Sequence, residues 1–174
     1  MKLVERISQE QLQKRISELA QEISNSELFE SNSPTLVIGV LNGAVPFTWE
    51  LTKRISKELI LDFMSVRSYV GTKSESLVLE RLPRENIQGK NILLVEDILD
   101  KGKTLGFLYD TLAKEKPNRM ETVCLLSKPK FEAQWVVRPK WVGFEMDDEF
   151  LVGFGLDFEG RFRNKAEIFS LEFS

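Results

Sequence analysis

A chain of 174 residues, 42% of them hydrophobic, is the size of one domain and long enough to bury a single core. The formal charge of -3 argues against a nucleic-acid binder, which presents a basic face, but leaves small anionic ligands open. One cysteine, Cys124, excludes an intramolecular disulfide, and the lack of histidine removes Ser-His and Cys-His nucleophiles and the usual zinc ligands. Acid and base chemistry therefore falls to carboxylates, lysines and tyrosines. The residues Met1 to Arg6 soon turn charged, and no apolar run reaches the length of a signal peptide or a spanning helix, which predicts a cytoplasmic protein with no membrane partner.

In chain order, Ser8 followed by Gln11 has the form of a capping box. Leu12, Ile16, Leu19, Ala20 and Ile23 then recur at helical spacing, which predicts an amphipathic helix from about Gln9 to Asn25. Ser31-Asn32-Ser33-Pro34 breaks it. Thr35 to Leu41 follows as an uninterrupted apolar run, the pattern of a strand buried on both faces in a parallel sheet covered by helices. After Asn42-Gly43, the spacing of Phe47, Leu51 and Ile55 predicts a second helix ending near Glu58, and Leu59 to Arg67 a second strand. From Tyr69 to Gln88, Gly71, Ser74, Ser76 and Pro83 among many charges predict a long loop or a protruding β arm, of the kind that serves as a lid.

Asn91 to Val95 is another buried-strand run, followed by an acidic, glycine-containing turn. A helix is then expected from about Lys103 to Lys116, with Leu105, Leu108 and Leu112 on one face. Further strands are expected at Glu121 to Leu126, Trp141 to Glu145, near Phe150 to Phe154 and at Glu167 to Phe173. The alternation implies one doubly wound α/β domain over residues 1–174, with no repeat, low-complexity tract or linker.

The segment from Val95 to Leu105 carries the chemistry. It runs from the end of an apolar strand through a tight turn into a helix, the place where ligands bind in open α/β sheets. Amides from Lys101 to Thr104 have no helical partner, and the helix dipole adds positive potential, so a phosphate is the natural guest. About four charge-assisted hydrogen bonds at roughly 1.5–3 kcal/mol each give about 6–12 kcal/mol gross, before ordering costs. Glu96 and Asp97 add acceptors suited to a vicinal sugar diol or a hydrated Mg²⁺. Gly-Lys-Thr at 102–104 is not a P-loop, because Asp97 stands where that motif requires its first glycine. Ordinary helix capping by the acidic turn remains open on these residues alone.

Val95 to Leu105 closely resembles the PRPP-binding signature of the type I phosphoribosyltransferases: two acidic residues, two apolar ones, an acidic residue and a Gly-x-Thr turn. The likeness extends from about Leu36 to Phe162 and is greatest to the hypoxanthine-guanine phosphoribosyltransferases. It implies a mainly parallel sheet with flanking helices and a small hood formed by the terminal segments. It also implies transfer of 5-phosphoribosyl from PRPP to a 6-oxopurine, giving IMP or GMP and pyrophosphate, with Mg²⁺, in a homodimer or homotetramer. By the same resemblance Asp100 is the general base, Lys101, Gly102, Lys103, Thr104 and Leu105 hold the 5′-phosphate, and Glu96 and Asp97 face the ribose and the metal. Asn42 and Gly43 meet pyrophosphate across a non-proline cis peptide expected at Asn42-Gly43, and Arg163 meets its oxygens. Ser68 and Tyr69 begin a lid that spans about 68–88 and closes over PRPP. Lys128 donates to the purine O6, Phe150 stacks on the ring, Leu151 lies at the base edge, and Asp157 borders the purine and binds Mg²⁺.

The residues themselves keep plainer readings in view. Asn42-Gly43 also reads as an unstrained turn, Tyr69 as an exposed aromatic at a strand end, Lys128 as a solvated lysine, and Phe150-Leu151-Val152 as core strand. Cys124 reads as a small buried hydrophobe and Asp147-Asp148-Glu149 as a solvated turn. The chain departs from the family at Asn42, where relatives often carry a basic residue, and at Lys101, where a small hydroxyl is usual. Asp147 replaces a common proline. A phosphoribosyltransferase for xanthine or a pyrimidine, and a non-catalytic PRPP sensor, are the competing functions.

Overall fold

A computed structural model describes residues 1–30, 32–70 and 75–173; the side chains of residues 68–70, 75 and 76 fall outside that description. Strand β1 (Lys2–Ile7) leads into helix α1 (Gln9–Ser24). Ser8 closes the expected capping box: its hydroxyl accepts from the Gln11 amide, and the Gln11 side chain accepts from the Ser8 amide. The buried stripe of α1 is Leu12, Ile16, Leu19, Ala20 and Ile23, the residues that the spacing singled out. A short 3-10 turn at Glu27–Phe29 then delivers the chain to β2 (Thr35–Leu41), with buried residues on both faces.

Helix α2 (Val45–Thr52) is shorter than its periodicity predicts. It ends before Ile55, which nevertheless stays buried beneath the following turn. Next come β3 (Ile60–Val70), β4 (Glu75–Arg81), β5 (Asn91–Leu99), α3 (Lys103–Ala113), β6 (Arg119–Ser127), a 3-10 turn at Pro129–Gln134, β7 (Trp141–Glu145), β8 (Leu151–Val152) and β9 (Ile168–Glu172). The main sheet has the order β4-β3-β2-β5-β6-β7, parallel throughout except for the β3–β4 pair. The expected protruding arm is this antiparallel pair. The lid residues Ser68 and Tyr69 belong by backbone to β3, while their side chains lie outside the described residues.

Alternation along the central strands divides the core between two layers. Val37, Leu93, Val95, Val123 and Leu125 face α1 and α2, whereas Leu36, Ile38, Ile92, Leu94 and Cys124 face α3. A continuous apolar run is what a strand covered on both faces requires. Arg15 of α1 clamps the far edge by donating to the carbonyls of Val142 and Gly143. The second sheet, β1-β9-β8, is antiparallel and joins the two terminal segments of the described chain into a hood. Strand β1 escapes the sequence reading because Lys2, Glu5 and Arg6 interrupt its alternation, and only pairing with β9 makes it a strand. Among the described residues no helix is long and apolar enough to cross a membrane.

Candidate active site

The carboxyl ends of β2 and β5 and the start of α3 build the site. Strand β5 keeps pairing with β6 as far as Leu99, four residues beyond its apolar run, so Glu96 and Asp97 are held on the strand itself. Gly102 then takes a φ of +78°, turns the chain and caps α3, whose first bond runs from the Gly106 amide to the Gly102 carbonyl at 2.9 Å. The amides of Lys101, Gly102, Thr104 and Leu105 donate to no acceptor among the described residues. They border an open cleft of about 360 Å³ whose wall is the continuous stretch from Glu96 to Leu105.

Beside these donors stand acceptors without donors. Glu96 is buried, and its Oε2, like Oδ1 of Asp100, is shielded from solvent with no hydrogen-bond partner. Burial, and then the neighbouring Asp97 charge, push the Glu96 carboxyl well above the ordinary carboxylate range. Asp97 is also raised: burial outweighs the Ile98 amide, bonded to Asp97 Oδ1 at 2.7 Å, and the Arg163 guanidinium. Buried acceptors left unpaired cost about 1–3 kcal/mol each, so such a pair is explained by a ligand that brings hydroxyl donors or a cation.

Three loops converge on Asp97. A Cβ on Gly43 would lie 1.6 Å from Asp97 Oδ2, and one on Gly155 would lie 2.0 Å from the Gly43 carbonyl oxygen. The turn after β2 therefore touches both the end of β5 and the segment after β8. A non-proline cis peptide is present, but at Leu41–Asn42, one bond before the expected Asn42-Gly43. The Asn-Gly pair signals only that the chain turns here.

The remaining expected site residues lie on β6 and in the segments around the hood. Lys128, expected from the family likeness to meet the purine and on its own residues to be solvated, is buried; its amide donates to the Leu99 carbonyl at 2.9 Å, beside Asp100. Its Nζ lies 3.4 Å from Asp148 Oδ1, while Lys130 Nζ holds the other oxygen of Asp148 at 2.8 Å. Phe150 is 47% exposed, unlike an ordinary core-strand residue, and meets Phe158 and Phe173 edge-on at centroid distances of 5.6 and 6.2 Å. Leu151 behind it is buried. Arg163 donates to the Gly155 carbonyl at 2.6 Å and pairs with Asp157 Oδ1 at 2.6 Å, while Asp157 Oδ2 accepts from the Gly160 amide. Asp157 thus has both oxygens engaged within its own loop.

Sequence reasoning missed four contributors. Asp148, read as part of a solvated turn, is exposed as expected, but it also takes both Lys128 and Lys130, and its place two residues before Phe150 was a usable signal. Phe158 and Phe173 carry no motif, and Trp135, whose indole donates to the Asp100 carbonyl at 2.5 Å, lies in a stretch without periodicity. Among the described residues no cluster of three or more acidic, histidine or cysteine side chains is built to hold a metal by itself. The unpartnered Glu96 oxygen beside Asp97 fits instead a divalent ion that arrives with most of its oxygens supplied by a phosphorylated ligand.

Residues 5–159 match the family model described as a phosphoribosyl transferase domain. The chain is 38% identical to the hypoxanthine-guanine phosphoribosyltransferase of Bacillus subtilis, over 91% of this chain and 87% of that protein. It is 40% identical to the bifunctional protein TilS/HprT of Listeria innocua, over 94% of this chain but only 26% of the length of that relative. The crystal structure of a hypoxanthine-guanine phosphoribosyltransferase from Bacillus anthracis, with a HEPES molecule in its active site, superposes with a TM-score of 0.87 at 37% identity, covering 97% of this chain and 98% of that one. A turn of amides without acceptors between β5 and α3, adjoining carboxylates and a parallel sheet thus coincide with a match along most of the sequence: the chain belongs to the phosphoribosyltransferase family.

Proposed function

We propose that this chain transfers the 5-phosphoribosyl group of PRPP to hypoxanthine or guanine, giving IMP or GMP and pyrophosphate. The observation that carries the reading is the pairing in one cleft of four donor amides without acceptors and two carboxylates with unpartnered oxygens. A sugar phosphate satisfies both sets at once. The 5′-phosphate takes the amides from Lys101 to Leu105 and the N-terminal dipole of α3, and the ribose hydroxyls donate to Glu96 and Asp97. Pyrophosphate then lies toward the turn at Asn42 and Gly43 and toward Arg163. The purine enters between Phe150, whose exposed face accepts a stacked ring, and Lys128, whose ammonium donates to O6.

Asp100 is placed to accept the purine ring proton as the glycosidic bond forms. Its Oδ1 has no hydrogen-bond partner among the described residues, and Asp100 follows Leu99, whose carbonyl accepts from the Lys128 amide. As pyrophosphate leaves, negative charge grows near Arg163, and a donor fixed in advance stabilises that charge more than the ground state. Glu96, Asp97 or Asp157 would hold a Mg²⁺ ion, which would supply positive charge to neutralise the same developing charge. The segment of about 68–88, with Ser68 and Tyr69 at its root, acts as the lid that excludes water from the reacting carbon. Val45 and Trp49, exposed one turn apart on α2, support assembly as a homodimer or homotetramer.

The test is Mg²⁺-dependent conversion of hypoxanthine and guanine with PRPP, run beside xanthine, adenine and pyrimidine bases. Asp100→Asn should bind PRPP as the parent does while turnover drops by about a hundredfold or more. Unchanged turnover would remove Asp100 from the chemistry, and activity confined to xanthine or a pyrimidine would move the substrate class.

A further inference from the structure

We propose that Trp135 is a positioning residue that aims the Lys101 amide at the 5′-phosphate, from behind the turn and without touching the ligand; this rests on the phosphoribosyl reading above. Trp135 follows the 3-10 turn at Pro129–Gln134, and its amide closes that turn onto the Glu132 carbonyl at 3.1 Å. From there the side chain reaches across to the phosphate turn and makes two contacts. Its indole N–H donates to the Asp100 carbonyl at 2.5 Å, and its ring covers the outer side of Gly102, where an added Cβ would lie 2.8 Å from Cδ1. Trp135 is partly buried against the α3 side of the core, so the ring is fixed by packing as well as by the hydrogen bond.

The consequence follows from peptide geometry. The Asp100–Lys101 bond is trans, and in a trans peptide the carbonyl and the next amide point in opposite directions within one plane. Holding the Asp100 oxygen toward Trp135 therefore turns the Lys101 N–H away from it. Lys101 itself lines the cleft, whose wall is made of residues 96–105, whereas Trp135 stands outside that wall. The Lys101 amide makes no other hydrogen bond in the described structure, so nothing else uses it. The same plane begins at Asp100 and so fixes the departure of its carboxylate. Gly102 at a φ of +78° needs no side-chain volume, and the indole fills the space that a Cβ would have taken.

The experiment compares the parent with Trp135→Phe, which keeps a ring over Gly102 but removes the donor, and with Trp135→Ala, which removes both. Affinity for ribose 5-phosphate is measured by calorimetry, and the Lys101 amide shift is followed by NMR during the same titration. Trp135→Phe should bind ribose 5-phosphate about three- to tenfold more weakly, the worth of one misaligned hydrogen bond, with a smaller Lys101 shift at saturation. In turnover assays the PRPP KM should rise by a similar factor while the KM for the purine stays level. A merely structural role would lower the melting temperature and leave the Lys101 shift and the split between the two KM values unmoved. Trp135→Phe with parental ribose 5-phosphate affinity and a parental Lys101 shift overturns the proposal. A parent that binds ribose 5-phosphate but makes no nucleotide from any base overturns the transfer reading while leaving Trp135 judged by the binding arm alone.

Discussion

Substituting Gly43 by alanine places one methyl group where three loops meet. Gly43 is not among the glycines with positive φ, so its backbone tolerates alanine and the effect is purely steric. The new carbon would lie 1.6 Å from Asp97 Oδ2 and 2.7 Å from its Cγ, less than half and about three quarters of an ordinary contact distance. The carboxylate must swing away, which threatens its bond from the Ile98 amide, or the turn after β2 must lift from β5. Overpacking of this kind costs about 1–3 kcal/mol, which for a domain of this size lowers the melting temperature by about 2–12 °C. The PRPP KM should rise about tenfold or more, since 1.4 kcal/mol of misplaced ribose and pyrophosphate contacts is a factor of ten. The decisive assay is a double-mutant cycle by urea denaturation. In an Asp97→Ala background the clash partner is gone, so the cost of Gly43→Ala should largely vanish and leave a coupling energy of about 1 kcal/mol or more. Equal costs in the two backgrounds would show that Gly43 and Asp97 are not in contact and would dissolve the joint between the two turns.

Gly155→Ala should be harsher, because Gly155 has a φ of +101° and its new Cβ would meet the rigid Gly43 carbonyl at 2.0 Å; a loss of about 2–5 kcal/mol in urea unfolding is expected. Asp62 is buried, which raises its carboxyl, but amides of Phe63, Glu85 and Arg84, with Arg81 nearby, together hold it below the ordinary carboxylate range. A depressed folded pKa gives stability that is complete above the unfolded value of about 3.9 and is lost as pH falls through the folded value. Asp62→Asn should therefore cost about 1–3 kcal/mol at pH 7, where it turns donors toward the Arg84 and Glu85 amides, and progressively less below about pH 4; a cost independent of pH would refute the assignment. Lys128→Met keeps the buried stem but removes the ammonium, so the hypoxanthine KM should rise about tenfold or more while the PRPP KM changes by less than about threefold. Steady-state kinetics with each substrate varied separately would check this, and a matching rise in both KM values would point to general damage.

Local patterns made much of the fold legible. The capping box at Ser8, the stripe from Leu12 to Ile23 and the two-faced apolar runs of β2 and β5 are written in neighbouring residues, and each became the expected element because burial periodicity and cap chemistry act over a few positions. The turn between β5 and α3 was legible for the same reason, since its acids, Gly102 and helix start lie within one short stretch. The surroundings of Lys128 were not. Taken without the family likeness, Lys128 reads as a surface lysine, yet it is buried at the end of β6, and the exposed Asp148 gives no local sign that Lys128 and Lys130 converge on it.

The sequence by itself determined the parallel sheet, the order of its main strands and helices and the turn suited to an anion, because each depends on residues close together along the chain. Only the tertiary structure decided that Gly43 touches both Asp97 and Gly155, that Phe173 packs against Phe150 and that Trp135 backs the Asp100 peptide. Those relations join residues tens of positions apart. They are fixed by packing between strand ends, which no local spacing records.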